Sequence, residues 1–169
     1  MNATLIVDGK EFPIEILDKE LQKLISGKKN TGYEKETGDD KHYVVSDNGT
    51  VLTIISPHPN VAAQYYDLAN YYSSKEVAEN NARADRLMRQ LRRFAVEHRD
   101  TENLWIDENQ EYYSIYYDYR THSIEISSCL AIVKKAGNIY FESKSIAREA
   151  ISEFKKELLW YFTEYKDSL

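Results

Sequence analysis

The feature that most constrains the fold is a short sequence pattern that occurs twice. Residues 71–78 read Tyr-Tyr-Ser-Ser-Lys-Glu-Val-Ala, and residues 140–147 read Tyr-Phe-Glu-Ser-Lys-Ser-Ile-Ala. In each copy an aromatic pair, typical of extended chain, precedes a small polar cap, a lysine, and the β-branched residue and alanine that open a helix. The pattern predicts that a strand runs into a helix at two places. Unrelated helix starts often use Ser for capping and Ala for packing. Independent convergence therefore explains the repeat as well as gene duplication does.

Two long amphipathic helices are predicted after these patterns. The first begins near Ser73, which has capping-box spacing to Glu76, and ends near Arg99. The second runs from about Lys144 to Tyr165. Apolar residues recur at the helical period in both, and we expect them to face a core: Val77, Ala84, Leu87, Met88, Leu91, Phe94 and Ala95 in the first, and Ile146, Ala147, Ala150, Ile151, Phe154, Leu158 and Phe162 in the second.

Alternating apolar residues around turn dipeptides predict antiparallel β-hairpins. Four are predicted, over residues 4–17, 42–55, 111–127 and 130–141. The remaining segments are predicted as a short helix over 18–26 and a mobile loop over 28–41, and 61–72 is ambiguous. The fold class is therefore α+β, with antiparallel hairpins and two long amphipathic helices that each follow a strand.

The length of 169 residues fits a single α+β domain over 1–169. The alternative is an N-terminal β subdomain over 1–60 followed by a helix–sheet–helix unit over 61–169. The single cysteine, Cys129, excludes an intramolecular disulfide and a cysteine-rich zinc site. No apolar run is long enough to span a membrane, and the start of the chain lacks the features of a signal peptide. We therefore expect a cytoplasmic protein.

No residue cluster identifies a reaction. The four histidines have no partner at metal-ligand spacing, so we expect neither a metal nor a cofactor. Glu142-Ser143-Lys144 matches the Glu-x-Lys element of metal-dependent nucleases. The same residues also fit an ordinary helix start, and we favour that interpretation. The sequence favours a protein that is not an enzyme.

Exposed tyrosines and acidic residues form the favoured candidate surface for a protein partner. If the odd-numbered residues of 111–119 face the core, Tyr112 and Tyr116 lie together on the outer face; if a helix covers that face, both are core. Asp107, Glu108 and Glu111 lie just before and at the start of this strand. With a net charge of −6, the chain suits a basic partner, although ordinary solubility explains the charge as well.

A second candidate surface is the arginine-rich part of the first long helix. Arg86, Arg89 and Arg93 share one helical face, which is suited to phosphate or to an acidic partner. A solvated face supported by neighbours such as Glu79 is the simpler interpretation. Nucleic-acid binding through these arginines is therefore the alternative function.

Several segments resemble small accessory proteins of Gram-positive phages and prophages. The resemblance rests on residues 5–12, 71–78, 91–95, 112–119 and 139–143, on Trp105, and on the closing helix. That group is largely without assigned activity, and similar phage proteins include anti-CRISPR inhibitors of host defence. The resemblance implies a binding protein that occludes a host protein, such as a defence nuclease. It assigns no role to any individual residue.

Overall fold

The computed structural model describes residues 2–7, 10–15, 31–35, 41–99, 110–130 and 135–165, and it shows an α+β protein. Six strands pair as three two-stranded sheets, β1–β2, β3–β4 and β5–β6. The elements in chain order are β1 (Asn2–Val7), β2 (Lys10–Glu15), β3 (Lys41–Val45), β4 (Val51–Ile55), α1 (Pro59–Asp67), α2 (Lys75–Glu97), β5 (Glu111–Asp118), β6 (Ser123–Leu130) and α3 (Lys144–Thr163).

The chain divides into two compact units. Unit 1 comprises Met1–Val44 and Val51–Ala78, and unit 2 comprises Val45–Thr50 and Glu79–Leu169. The expected boundary near residue 60 stays a prediction, as does the single domain.

The strands of unit 1 include two of the predicted hairpins. β1 and β2 are antiparallel, with Leu5 opposite Phe12. β3 and β4 are hydrogen-bonded neighbours joined by a short turn at 46–50. On the other side of β3, Tyr43 and Tyr72 form an isolated antiparallel bridge with two backbone hydrogen bonds of 2.8 and 2.9 Å. This bridge holds the chain extended immediately before α2 begins.

Helix α1 lies in the stretch that the sequence left ambiguous. His58 caps it, because its Nδ1 accepts a hydrogen bond from the Asn60 backbone N–H at 3.3 Å, and Pro59 occupies the first turn. Proline is favoured there, since its missing N–H would have no helical partner. The Pro-His-Pro stretch over 57–59 thus both follows β4 and starts a helix. None of the residues of α1 is buried.

Residues 31–35 pack against the start of α2, although the sequence predicted a mobile loop over 28–41. The Ser73 backbone N–H donates to the Gly32 carbonyl at 2.8 Å, and Ser73 Oγ donates to the Glu34 carboxylate. Gly32 has a φ of 84°, and a Cβ there would lie 2.5 Å from Val77 Cγ2, so only glycine fits. The rest of that predicted loop up to residue 40, and the predicted helix over 18–26, lie outside the described residues.

The cap of α2 is Ser74 rather than Ser73. The Val77 backbone N–H approaches Ser74 Oγ at 3.4 Å, and the Ala78 N–H donates to the Ser74 carbonyl. The predicted capping box at Ser73 is wrong because the Ser73 hydroxyl is occupied by Glu34. At α3 the equivalent residue, Ser143, accepts from the Ile146 N–H at 3.2 Å.

Unit 2 is organised around the β5–β6 hairpin. The strands are antiparallel, with Ile115 opposite Ile126 and Tyr117 opposite Ile124, so these side chains share one face. Helix α3 contacts both strands. The predicted apolar face of this hairpin is confirmed, since Tyr113, Ile115, Ile124 and Ile126 pack against the buried core cluster.

The core of unit 2 joins the two long helices. Its buried members come from α2, from α3 and from the bridged residue three positions before α3: Leu87, Leu91, Phe94, Ala95, Phe141, Ala147, Ala150 and Leu158. Both predicted helices and most of their apolar stripes are confirmed. Trp160 is buried outside the predicted stripe, and the Arg83 guanidinium lies 3.9 Å from its ring centroid. α3 departs from helical geometry at Phe154. Among the described helices, none is long and apolar enough to cross a membrane.

In the hairpin predicted over 130–141, residues 131–134 of the first arm lie outside the described residues, and the second arm does not form a strand. β6 continues to Leu130, and residues 138–140 belong to no strand. Phe141 instead forms an isolated antiparallel bridge with Tyr113, through backbone hydrogen bonds of 2.7 and 2.9 Å. Each long helix therefore follows a single bridged residue rather than a full strand.

We expect the Glu34 carboxylate to make unit 1 sensitive to acid. Burial alone raises its pKa, but hydrogen bonds from Ser73 and from the Thr31 backbone outweigh burial and lower the pKa from 4.5 to about 2. Because the pKa is depressed in the folded state, the stabilisation is complete above about pH 4.5 and is lost as the pH falls toward 2.

The measurement is urea denaturation between pH 2 and 7 for the wild type and Glu34→Gln. The wild type should lose its stability advantage over the variant across that acidic window. Glu153→Gln is the matched control, since Glu153 is an exposed carboxylate on α3 in unit 2. A constant difference between wild type and Glu34→Gln at every pH would contradict the assignment.

Candidate binding surfaces

The two tyrosines predicted to lie together on an outer face have different environments. Tyr112 is fully buried, at 0% exposure, whereas Tyr116 is 42% exposed. Tyr112 neighbours the Tyr113–Phe141 bridge, where the hairpin gains a third extended segment, while Tyr116 lies where β5 pairs with β6 alone. The prediction of an exposed pair is therefore wrong for Tyr112, because the alternation of a strand gives the face but not what covers it.

One acidic side chain, Glu125, accompanies Tyr116 on the outer face of the hairpin. Glu125 lies directly opposite Tyr116 in the strand register and is exposed. Glu111, at the start of β5, is also exposed but lies on the other face, where it accepts a hydrogen bond from the Tyr113 hydroxyl at 3.0 Å, which raises the pKa of Tyr113. Asp107 and Glu108 lie outside the described residues. We call Tyr116, Glu125 and the exposed Ser127 the open hairpin face.

The predicted arginine face of α2 is present in unit 2. Arg86, Arg89 and Arg93 are all exposed, as is the adjacent Arg92. Their spacing in the helix extends the three guanidinium groups over about 10 Å, at 1.5 Å per residue. Within residues 83–93 the only acidic residue is Asp85. The surface is thus strongly basic although the whole chain carries a net charge of −6.

These arginines have few internal partners among the described residues. Arg93 lies 3.8 Å from Glu97, in an exposed i,i+4 pair of a kind that contributes little. Arg86 and Arg89 form no ion pair there, and Arg86 lies over the 46–50 turn, where a Cβ on Gly49 would meet its Nη2 at 3.2 Å. The interpretation of a face supported by neighbouring carboxylates therefore fits Arg93 beside Glu97. It also fits Arg86 in part, because the hydrogen bond from Arg83 and, to a smaller extent, the charge of Arg86 lower the pKa of Glu157.

Arg83, one turn earlier, has a structural role instead. Its guanidinium donates two hydrogen bonds to the Glu157 carboxylate, at 2.7 and 3.1 Å, and stacks 3.9 Å above the Trp160 ring. The hydrogen bond from Arg83 lowers the pKa of Glu157. Nearby, the Tyr165 hydroxyl donates to the Asn81 side chain. These contacts join α2 to α3, so Arg83 is not available to a partner.

The described residues contain no group of three or more histidine, cysteine, aspartate or glutamate side chains that could hold a metal ion. His42 is 3% exposed and stacks on Tyr71 with ring centroids 4.1 Å apart, and neither of its ring nitrogens has a hydrogen-bond partner. Lys144 of the Glu-x-Lys element is exposed at the first position of α3, which fits the helix-start interpretation.

Sequence reasoning missed an exposed apolar surface in unit 1. Its side chains lie on β4, on α1 and just after α1, and they are between 40% and 74% exposed: Leu52, Ile55, Val61, Tyr66 and Leu68. The signal was present, since residues 51–55 read Val-Leu-Thr-Ile-Ile without a charged residue. The sequence predicts this segment as a strand of a hairpin, and the strand pattern does not say whether the side chains are covered.

Replacing Arg83 with alanine should destabilise the protein, whereas replacing Arg89 should not. Arg83→Ala removes a two-pronged, half-exposed ion pair and a cation–π contact, and we expect a loss of about 1 kcal/mol. Arg89→Ala changes an exposed side chain and should stay within about 0.5 kcal/mol of the wild type. Chemical denaturation measures both. Equal losses of unfolding free energy for the two variants would show that the contacts of Arg83 stabilise the protein no more than those of Arg89 do.

No protein-family model matches the chain, and neither a curated protein nor a solved structure shows significant similarity to it. The likeness to phage accessory proteins therefore rests on the sequence segments alone. The candidate binding surfaces of this chain are the open hairpin face and the arginine face.

Proposed function

We propose that this chain is a non-enzymatic binding protein of the phage accessory type, which inhibits a host protein by occluding one of its surfaces. The observation that carries the proposal is the open hairpin face. Tyr116 is 42% exposed on a strand whose opposite face is packed against the core. A tyrosine held on a rigid ribbon offers contact area with little conformational entropy to lose on binding.

The charge of this face indicates the kind of partner. Glu125 lies across from Tyr116 on the same face and is exposed. A carboxylate beside an aromatic anchor complements a basic surface and speeds association with it. Nucleases of host defence systems carry such surfaces where they hold nucleic acid. In this proposal, the inhibitor competes with the nucleic acid for the basic surface.

The test begins with an affinity pull-down from a Gram-positive host lysate, with nuclease-treated and untreated samples compared by mass spectrometry. A captured protein is then purified, and its affinity for the wild type and Tyr116→Ala is measured by calorimetry. We expect Tyr116→Ala to weaken binding by on the order of tenfold, as for an interface anchor. The captured protein's own activity should be lost in the complex.

Tyr119→Ala is the matched control. Tyr119 is 65% exposed at the end of the same strand, but its hydroxyl is bonded to the Phe162 carbonyl at 2.8 Å. Its replacement should leave the affinity nearly unchanged. If Tyr116→Ala and Tyr119→Ala bind the partner as tightly as the wild type, the open hairpin face is not the site.

The arginine face supports a second candidate function, which is nucleic-acid binding. The favouring observation is that Arg86 and Arg89 are exposed and form no ion pair among the described residues. A guanidinium matches the geometry of a phosphate with two parallel hydrogen bonds. Three such groups along one helix face suit successive phosphates of a nucleic-acid backbone.

Charge reversal at Arg86, Arg89 and Arg93 tests this candidate. Binding of labelled duplex DNA, single-stranded DNA and RNA is followed by fluorescence anisotropy at several salt concentrations. Loss of three phosphate contacts should lower the slope of log K against log salt by about two to three. The matched control reverses Lys144, Arg148 and Lys155, which are exposed on α3 and give the same change in net charge. If both triple variants change the affinity and its salt dependence equally, binding depends on the net charge of the protein and not on the arginine face.

A further inference from the structure

One guanidinium of the arginine face lies against a tight turn. The three atoms nearest to a Cβ built on Gly49 all belong to Arg86, with Nη2 at 3.2 Å, Nε at 3.9 Å and Cζ at 4.0 Å. Because glycine has no Cβ, the guanidinium can approach the glycine backbone this closely. Arg86 is nevertheless exposed, and its Nη1 is farther from Gly49 than these three atoms. The turn over 46–50 therefore restricts where the charge of Arg86 can lie.

The turn is held by hydrogen bonds of its own. The Ser46 backbone N–H donates to the Thr50 carbonyl, and the Gly49 N–H donates to the Ser46 carbonyl, both at 2.9 Å. The Asn48 side-chain oxygen accepts from the Thr50 N–H at 2.9 Å and from the Ser46 hydroxyl at 2.7 Å. Gly49 has a φ of 82°, a conformation that favours glycine. The turn keeps its shape without Arg86 and can act as a support for it.

The same turn exposes a further hydrogen-bond donor. A backbone N–H only donates, so the Thr50 N–H identifies the Asn48 side-chain atom that it meets as the oxygen. The amide nitrogen is then the other branch of the Asn48 side chain, and no described residue accepts a hydrogen bond from it. Asn48 is exposed and directly precedes Gly49. An amide N–H2 group thus lies next in sequence to the residue that supports Arg86.

The charges of the arginine face are only partly offset by other residues. Arg86 and Arg89 are three residues apart, and Arg93 follows four residues later. Like charges at these spacings destabilise a helix. In the part of the chain that the structure describes, neither Arg86 nor Arg89 forms an ion pair, and Asp47 of the turn accepts the Asn48 N–H at 2.9 Å instead. An anion that binds among these cations relieves their repulsion.

We propose that Arg86 and the turn over 46–50 form a site for a backbone phosphate of a nucleic-acid strand, at one end of the arginine face. Arg86 pairs with the phosphate, and the Asn48 amide donates a further hydrogen bond to it. Gly49 is a positioning residue, which acts by holding the guanidinium. The proposal rests on the nucleic-acid binding proposed for the arginine face, and it adds the turn to that surface.

The donors and their spacing favour nucleic acid over other anions. Arginine and asparagine side chains both bind phosphate oxygens, which only accept hydrogen bonds. Arg86, Arg89 and Arg93 follow one another along α2 by about 4.5 and 6 Å, at 1.5 Å per residue. A row of cations suits a polymer that carries a negative charge on every unit. An acidic protein partner carries its charges at irregular spacing.

Gly49→Asn tests the positioning role. Asparagine tolerates a positive φ, so the turn keeps its backbone while the new side chain takes the space that the Arg86 guanidinium occupies. We expect the affinity for labelled duplex DNA, single-stranded DNA or RNA to fall by on the order of fivefold, and the slope of log K against log salt to fall by about one. Gly137→Asn is the matched control, because Gly137 also has a φ of 82° but no described atom lies within 4 Å of a Cβ built there.

The same substitution is then made in an Arg86→Ala background. If Gly49 acts by holding Arg86, Gly49→Asn has no further effect there, since the guanidinium that it displaces is already absent. An equal loss of affinity in both backgrounds would overturn the positioning role. Urea denaturation of each variant distinguishes a loss of binding from a loss of folding.

Asn48→Asp tests the amide and covers the case in which Gly49→Asn disturbs folding. Aspartate keeps an oxygen for the Thr50 N–H, but it replaces the amide donor with a second carboxylate oxygen that repels phosphate. We expect the affinity for the nucleic acid to fall by on the order of tenfold. Asn138→Asp is the control, since it adds the same charge at an exposed asparagine beside Gly137 and should lower the affinity less. Equal losses for the two variants would contradict the role of Asn48.

Two results distinguish this proposal from nucleic-acid binding in general. If the wild type binds none of the three probes at any salt concentration, nucleic-acid binding and the phosphate site are both wrong. If charge reversal of the arginines abolishes binding while Gly49→Asn and Asn48→Asp bind as tightly as the wild type, the arginine face binds without the turn and only the present proposal fails.

A competition experiment tests the class of anion. Polyglutamate is added to the complex with labelled nucleic acid at the same concentration of negative charge as unlabelled DNA. Weaker displacement by polyglutamate supports a phosphate site. Equal displacement by the two polymers would show that the surface takes carboxylates as readily, as an acidic protein partner would supply, and would overturn the proposal.

Discussion

The structure depends on one recurring interaction, a two-hydrogen-bond backbone bridge between a strand and the aromatic residue that precedes a long helix. Tyr72 bonds to Tyr43 in unit 1, and Phe141 bonds to Tyr113 in unit 2. The bridge satisfies backbone groups that would otherwise be buried without partners. Two residues later a serine caps the helix, so the direction of the helix is set where the extended chain ends.

The two junctions bury the same kinds of side chain. Tyr72 and Phe141 are 6% and 1% exposed, and the alanines that follow them in the first turns, Ala78 and Ala147, are both at 0%. A larger side chain at either alanine has no room, since interiors are close-packed. The repeated sequence pattern is thus a repeated structural junction. The strands that form the two bridges differ at the residue just before the bridged tyrosine. That residue is His42 in β3 and Tyr112 in β5.

Arginines on one helix divide into two groups by what surrounds them. Arg83 is bonded to Glu157 and stacked on Trp160, so it stabilises the packing of α2 against α3. Arg86 and Arg89 are exposed without a described ion pair, and they retain the ability to bind an anion. The β5–β6 hairpin shows a similar division, since one face is core and the other presents Tyr116 and Glu125. Both helix and hairpin therefore combine a structural side with a side that is free to bind a partner.

The sequence by itself determined the α+β class, the strand pairings predicted over 4–17, 42–55 and 111–127, and both long helices, because periodicity and turn residues act locally. Tertiary structure decided which residues are covered. Alternation placed Tyr112 and Tyr116 on one face, yet only Tyr112 is buried, since a third segment joins the sheet beside it. The capping-box spacing predicted Ser73 as the cap of α2. The Ser73 hydroxyl instead donates to the carboxylate of Glu34, which is distant in sequence, and Ser74 is the cap. Burial and long-range hydrogen bonds depend on residues far apart in sequence, so no local pattern contains them.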